Sequence, residues 1–198
     1  NGKFSHISGV RYKTNRYLLG SLDDKGDYNP SFVDFQTYLT YKFNRSFDVS
    51  FLGNLAKNQY NFMPQTRETS FGTINQLYNA TVYFEGQEAD KFTTTTGAFV
   101  ENYHPGEKLN LKFIASAFQS KEAETYDILG QYYLNEMEQN TQTGTADSSL
   151  NIGLATFLNH ARNYLDVSVY SLEHKGAYNS EHHLLILSLI HISQGIVR

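Results

Sequence analysis

Cysteine is absent from the chain, and with it go disulfides, thiolate metal sites and cysteine nucleophiles. No run of 18 apolar residues exists, which excludes a membrane-spanning helix. The same lack does not exclude a membrane barrel, whose alternate residues face water so that the average looks soluble. No basic tract stands out either: 16 basic side chains against 20 acidic ones give a formal charge of −4, so nothing draws the chain to nucleic acid. Neither an initiator Met nor a signal peptide precedes Asn1, so targeting is not legible and the start reads as a cut edge. Proline (3) and methionine (2) are scarce.

What is abundant is tyrosine (15) and phenylalanine (14), a usage that suits strands. The organising stretch is Ser31 to Leu55. Its odd positions read Val33, Phe35, Thr37, Leu39, Tyr41, Phe43, and its even ones Asp34, Gln36, Tyr38, Thr40, Lys42. After a turn at Asn44, Arg45 and Ser46, the pattern repeats as Phe47, Val49, Phe51, Gly53, Leu55 against Asp48, Ser50, Leu52, Asn54. Period-two alternation puts a mainly apolar face opposite a mainly polar one. It persists for 13 residues in the first strand, against about 5 or 6 in an ordinary strand and roughly 9 to 11 in one that crosses a bilayer. Tyr41, Phe43 and Phe47, clustered near the turn, have the makings of an aromatic belt at one membrane interface.

Along the chain, Lys3 to Thr14 reads as a first strand and Asn15 to Pro30 as a loop dense in turn formers. Asn61 to Phe92 is a long connection in which Ala80 to Phe84 is β-prone, and Thr93 to Tyr103 is a strand. His104 to Lys108 make a turn, and alternation returns from Leu109. Gln119 to about His160 reads as a third long connection with local helix around Ile128 to Gln139, followed by a strand from Arg162 to His174 and a turn at Gly176 to Ser180. Long and short connections therefore alternate. Bacterial outer-membrane barrels show this asymmetry, with short periplasmic turns and longer extracellular loops. The expected fold is all-β: about six or seven antiparallel up-and-down strands of an incomplete transmembrane β-barrel.

Four stretches carry a family resemblance: His6 to Thr14, Tyr28 to Phe32, Thr66 to Thr73 and Phe157 to Tyr164. Arg67-Glu68-Thr69 with Phe71-Gly72-Thr73 is the most specific piece. Together they resemble the early barrel of TonB-dependent receptors of Bacteroidetes type. The resemblance implies a cell outer-membrane location in a Gram-negative bacterium and a barrel of about 22 strands with a plugged lumen. It further implies import of a bulky nutrient such as a glycan or siderophore. The implied partners are outer-membrane lipid, a surface lipoprotein, and the TonB complex acting through a plug domain that this sequence lacks; no nucleic acid is among them. The stretch Leu187 to Ser193 resembles instead a translated transposase adaptor used in sequencing libraries. On that reading residues 1–186 are a partial barrel and 187–198 a non-native tail; the alternative is an ordinary apolar strand from Leu184 to Ile192.

Little points to catalysis. His182 and His183, adjacent on a strand, face opposite sides, and His160 and His174 lack partners at metal-ligand spacing. Asp23, Asp24 and Asp27 do not match a calcium loop, and there is no nucleophile elbow or Gly-rich phosphate loop. No enzyme, metal or cofactor is expected. Tyr126, Tyr132 and Tyr133, beside Gln131 and Asn135 in the third connection, suit sugar rings or other bulky polar ligands, though they equally suit packing of a loop onto a barrel rim. Asp34, Gln36, Asp48, Ser50, Asn54 and Lys112 are the candidate lumen-facing set. The competing architecture is a soluble carbohydrate-binding β-sandwich with Val33, Phe35, Leu39 and Phe51 in its core.

Overall fold

The computed structural model describes residues 2–16, 26–73, 76–139 and 146–197. They form nine strands: β1 (Phe4–Lys13), β2 (Gly26–Tyr28), β3 (Ser31–Lys42), β4 (Phe47–Pro64), β5 (Arg67–Thr73), β6 (Gln76–Tyr103), β7 (Leu109–Gln139), β8 (Ala146–Asn179) and β9 (Leu184–Val197). All pairings are antiparallel and belong to one sheet of order β1-β3-β4-β6-β7-β8-β9, with β2 added beside β4 and β5 beside β6. Seven strands thus run up and down in sequence, as the alternation implies. The sheet is not closed: among the described residues, the outer edges of β1 and β9 have no partner strand.

The register fixes the two faces, because directly opposed residues lie on the same side of a sheet. Asp34↔Ala56, Gln36↔Asn54, Thr40↔Ser50 and Lys42↔Asp48 define a polar face. It continues through Asp48↔Asn102 and Asn102↔Lys112 onto β6 and β7. On the reverse side Leu39↔Phe51, Phe51↔Phe99 and Phe99↔Ala115 form one row of an apolar band, with Leu172 opposite Ala115. Glu101, opposite Val49 and Phe113, is the charged exception within it, one row from the turns.

At the turn end of the band, Tyr41, Phe43, Phe47 and Tyr103 form a chain of ring contacts with centroids 4.8, 5.2 and 6.4 Å apart. The expected aromatic cluster is therefore present and gains Tyr103. The first two short turns lie at residues 43–46 and 104–108, as the sequence implies. The third does not lie at Gly176: β8 runs on to Asn179, and the chain reverses at Ser180 to His183, where Ser180 N donates to His183 O at 2.8 Å.

Two larger corrections concern the long connections. The described residues of Asn61 to Phe92 do not form one long loop but the end of β4, the β5 strand and the first part of β6. Of Gln119 to His160, the described residues are likewise strand, since β7 reaches Gln139 and β8 begins at Ala146; the helix expected at Ile128 to Gln139 is part of β7, bonded to β6 on one side and β8 on the other. Backbone pairing on both sides satisfies every group that a helix would have satisfied internally, so neighbouring strands decide the outcome. β8, at 34 residues, is about 110 Å long at roughly 3.3 Å per residue.

No hydrophobic side chain is buried among the described residues. The accessible surface is 14365 Å², whereas a compact globular chain of 22.6 kDa would expose about 9,500 Å². The excess is that of a single layer with both faces open. A sandwich needs a second sheet over the first, and the described residues supply one sheet, with Val33, Phe35 and Phe51 exposed.

Candidate functional site on the polar face

The six candidate lumen residues share one face. Gln36 and Asn54 are opposed directly, and Asp48 accepts a hydrogen bond from Asn102 Nδ2 at 2.8 Å in the row that also holds Lys112. Asp34 and Ser50 are the most deeply placed of them, and Asp34 is the charged one. Its side chain is 4% exposed, and Oδ2 accepts from Arg11 Nη2 at 2.5 Å and Nε at 3.1 Å. The guanidinium also lies over the Phe32 ring at 4.9 Å, so a planar cation is held between a carboxylate and an aromatic face. Between these groups lies a hollow of about 660 Å³ bordered by Arg11, Asp34, Gln36, Tyr38, Leu52 and Asn54. Its lining is mainly apolar, with Ile7, Tyr38 and Leu52 contributing, and Arg11, Asp34, Gln36 and Asn54 supply the hydrogen-bonding groups along it.

Farther from the short turns, the same face carries a second group of residues. Two adjacent rows read Phe62, Glu88, Tyr126 and Tyr60, Asp90, Glu124 across β4, β6 and β7. Tyr28 stacks on Phe62 with centroids 4.6 Å apart. Burial, then the Asp90 and Glu124 charges, push the Glu88 carboxyl above its ordinary range. Burial likewise raises the Tyr60 phenol, with Glu88 adding to it. Rings beside carboxylates offer a stacking surface and hydrogen-bond acceptors together, the chemistry that grips polyhydroxylated or cationic ligands.

The three candidate tyrosines do not converge. Tyr126 joins the carboxylate rows, opposite Glu88. Tyr132 lies on the same face but six residues along β7, about 20 Å away; its ring meets Phe157 at 5.9 Å, and Phe157 in turn meets Phe84 at 6.3 Å. Phe157 lies flat over Gly130, where an added Cβ would stand 2.1 Å from the ring. Tyr133 points to the opposite face and packs edge-on against Tyr83 at 5.5 Å. All three stand on a strand, not in a loop, because β7 extends through them.

Sequence reasoning missed Tyr60, Glu88 and Asp90. Their even spacing at 60, 88 and 90 was visible, but only the register of β4 with β6 places them together.

On the reverse face, Asp127 accepts from Arg162 and His160, which hold its carboxyl below the usual carboxylate range. His160 is thus engaged in an exposed ion cluster, and among the described residues no group of three or more His, Cys, Asp or Glu is arranged to hold a metal ion. No helix among them is long and apolar enough to cross a membrane, which says nothing of strands. No protein-family model, no curated protein and no solved structure matches the chain.

Proposed function

We propose that this chain is part of the wall of an outer-membrane, TonB-dependent receptor that takes up a bulky nutrient. The observation that carries the reading is a single up-and-down sheet with an apolar face, a polar face and, among the described residues, no buried hydrophobic side chain. Such a sheet is stable only where something covers its apolar side; the described residues supply no second layer, and a lipid bilayer would cover it. The band from Phe47 to Leu55 spans nine residues, which at about 3.3 Å per residue and a tilt of about 40° gives a height of roughly 23 Å, close to the apolar belt of outer-membrane barrels. Strands far longer than the belt then rise beyond it, and the short turns lie on the periplasmic side. The polar face lines the lumen: Asp34, Gln36, Asp48, Asn54 and Lys112 near the plug, and the Glu88, Tyr126 and Tyr60 rows higher up, where an arriving ligand is met first.

Uptake on this reading is ligand capture at the outer end of the lumen, followed by a TonB-driven rearrangement of the plug. No step in it makes or breaks a covalent bond. Sequencing the source locus outward from both ends of this chain tests the proposal. A plug domain upstream and further alternating strands downstream are expected. A frame that opens with its own start and closes after Arg198 would overturn it.

A further inference from the structure

The upper border of the apolar band is marked by lysines. Lys57 on β4 and Lys121 on β7 lie in one row, separated by Thr93 on β6, and are therefore about 10 Å apart. Lys91 stands between them one row higher, opposite Gln59 and Ala123. All three are exposed on the apolar face, and the side chain of Lys121 is 61% exposed. Lys91, Lys121 and the Tyr164 ring enclose a hollow of about 380 Å³ with Thr93 and Ala123 at its base.

A second hollow, of about 340 Å³, adjoins it at Thr93 and is bordered by Val33, Phe35 and Leu55 with Lys57 above them. Two acidic residues border the lysine hollow: Asp166, 3.5 Å from Lys121 and also a hydrogen-bond acceptor for Gln119 at 3.3 Å, and Glu122, whose register puts its side chain on the polar face, where it accepts from Ser120 Oγ at 3.1 Å, so that Asp166 alone shares the lysines' face. Three lysines against one aspartate leave the cluster with an excess of two positive charges.

A cationic hollow joined directly to an apolar one is complementary to an anionic amphiphile. Lysines at a membrane border commonly extend singly toward water. Here Lys91 and Lys121 border one hollow and Lys57 the hollow that adjoins it, within two neighbouring rows, which brings several ammonium donors within reach of one phosphate. We infer that Lys57, Lys91 and Lys121 form a binding site for the phosphate headgroup of a membrane lipid, whose acyl chain lies along Val33, Phe35 and Leu55. This inference rests on the apolar face being lipid-covered. It assigns the outward side of the wall, opposite the lumen, a specific lipid contact.

The experiment uses the polypeptide that carries this chain, expressed with its native flanking sequence and placed in phosphatidylcholine bilayers containing a minor fraction of phosphatidic acid. After mild detergent extraction, native mass spectrometry counts the phosphatidic acid retained. The wild type is expected to retain it. Lys91→Gln should lower retention roughly fivefold, and Lys57→Gln, Lys91→Gln and Lys121→Gln combined about a hundredfold. Lys108→Gln, in a turn at the other end of the sheet, should leave retention unchanged.

Equal retention by wild type and Lys91→Gln overturns the inference, whether or not the triple variant folds. Displacement of the lipid by millimolar inorganic phosphate also overturns it, because the site would then belong to a free anion. Flotation with pure phosphatidylcholine vesicles is read separately. A protein that floats but shows no preference for phosphatidic acid removes this inference alone, whereas one that does not float removes the membrane reading with it.

Discussion

Glu88 illustrates how a side chain's neighbours set its chemistry. Burial and the nearby Asp90 and Glu124 carboxylates raise its pKa in the folded chain, so folding there favours the protonated acid. That stabilisation is full below the ordinary glutamate value of about 4.3 and is lost as the pH climbs through the raised folded value. Glu88→Gln should therefore raise the denaturation midpoint at pH 7 and leave it nearly unchanged at pH 4; a larger gain at pH 4 than at pH 7 would contradict the cause given. Asp34 shows what the sequence could and could not say about one residue. Its place on the polar face is readable from alternation, but its partner Arg11, 23 positions away, is fixed only by the pairing of β1 with β3.

Long strands are the structural theme among the elements. β6, β7 and β8 run 28, 31 and 34 residues, yet their hydrophobic alternation covers only the band near the short turns. Beyond it neither face is consistently apolar, so the period-two signal fades although the backbone continues to pair. That is why Thr93 to Tyr103 and the segment from Leu109 read as strands while Gln119 to His160 read as a connection.

Gly86 sits in this polar extension with φ +97°, and a Cβ there would fall 1.8 Å from the Asp127 carbonyl oxygen. An alanine must both adopt a left-handed backbone and push β7 away, at a cost of about 1–3 kcal/mol. Gly86→Ala should accelerate amide exchange in residues 80–90 of β6 and 124–134 of β7 and spare residues 95–103. Uniform acceleration across the sheet would mean that the extension and the band unfold as one unit.

For the molecule as a whole, the decisive property is which medium meets each face. If lipid covers the Phe51 side, Phe51→Arg should cost about 2–4 kcal/mol of stability in a bilayer. Asn54→Arg, on the polar face three residues later, should then cost well under 1 kcal/mol. Guanidinium titrations of the two variants in lipid vesicles measure the contrast, and equal costs would sink the face assignment. Closing the sheet is a further whole-molecule requirement, because the free edges of β1 and β9 present rows of unpaired backbone groups that a barrel abolishes.

By itself the sequence determined the all-β class, the Ser31 to Leu55 hairpin with its turn, the turn at His104 to Lys108, and the division of Asp34, Gln36, Asp48, Asn54 and Lys112 from the apolar residues, because alternation along one strand is a local property. Only the tertiary structure decided the lengths of β6 to β8, the separation of Tyr126 from Tyr132 and Tyr133, and the meeting of Tyr60 with Glu88 and of Lys57 with Lys91 and Lys121. Those depend on register between residues far apart in the chain, as in Leu109↔Tyr178, and cross-strand register is set by backbone pairing that no single segment encodes.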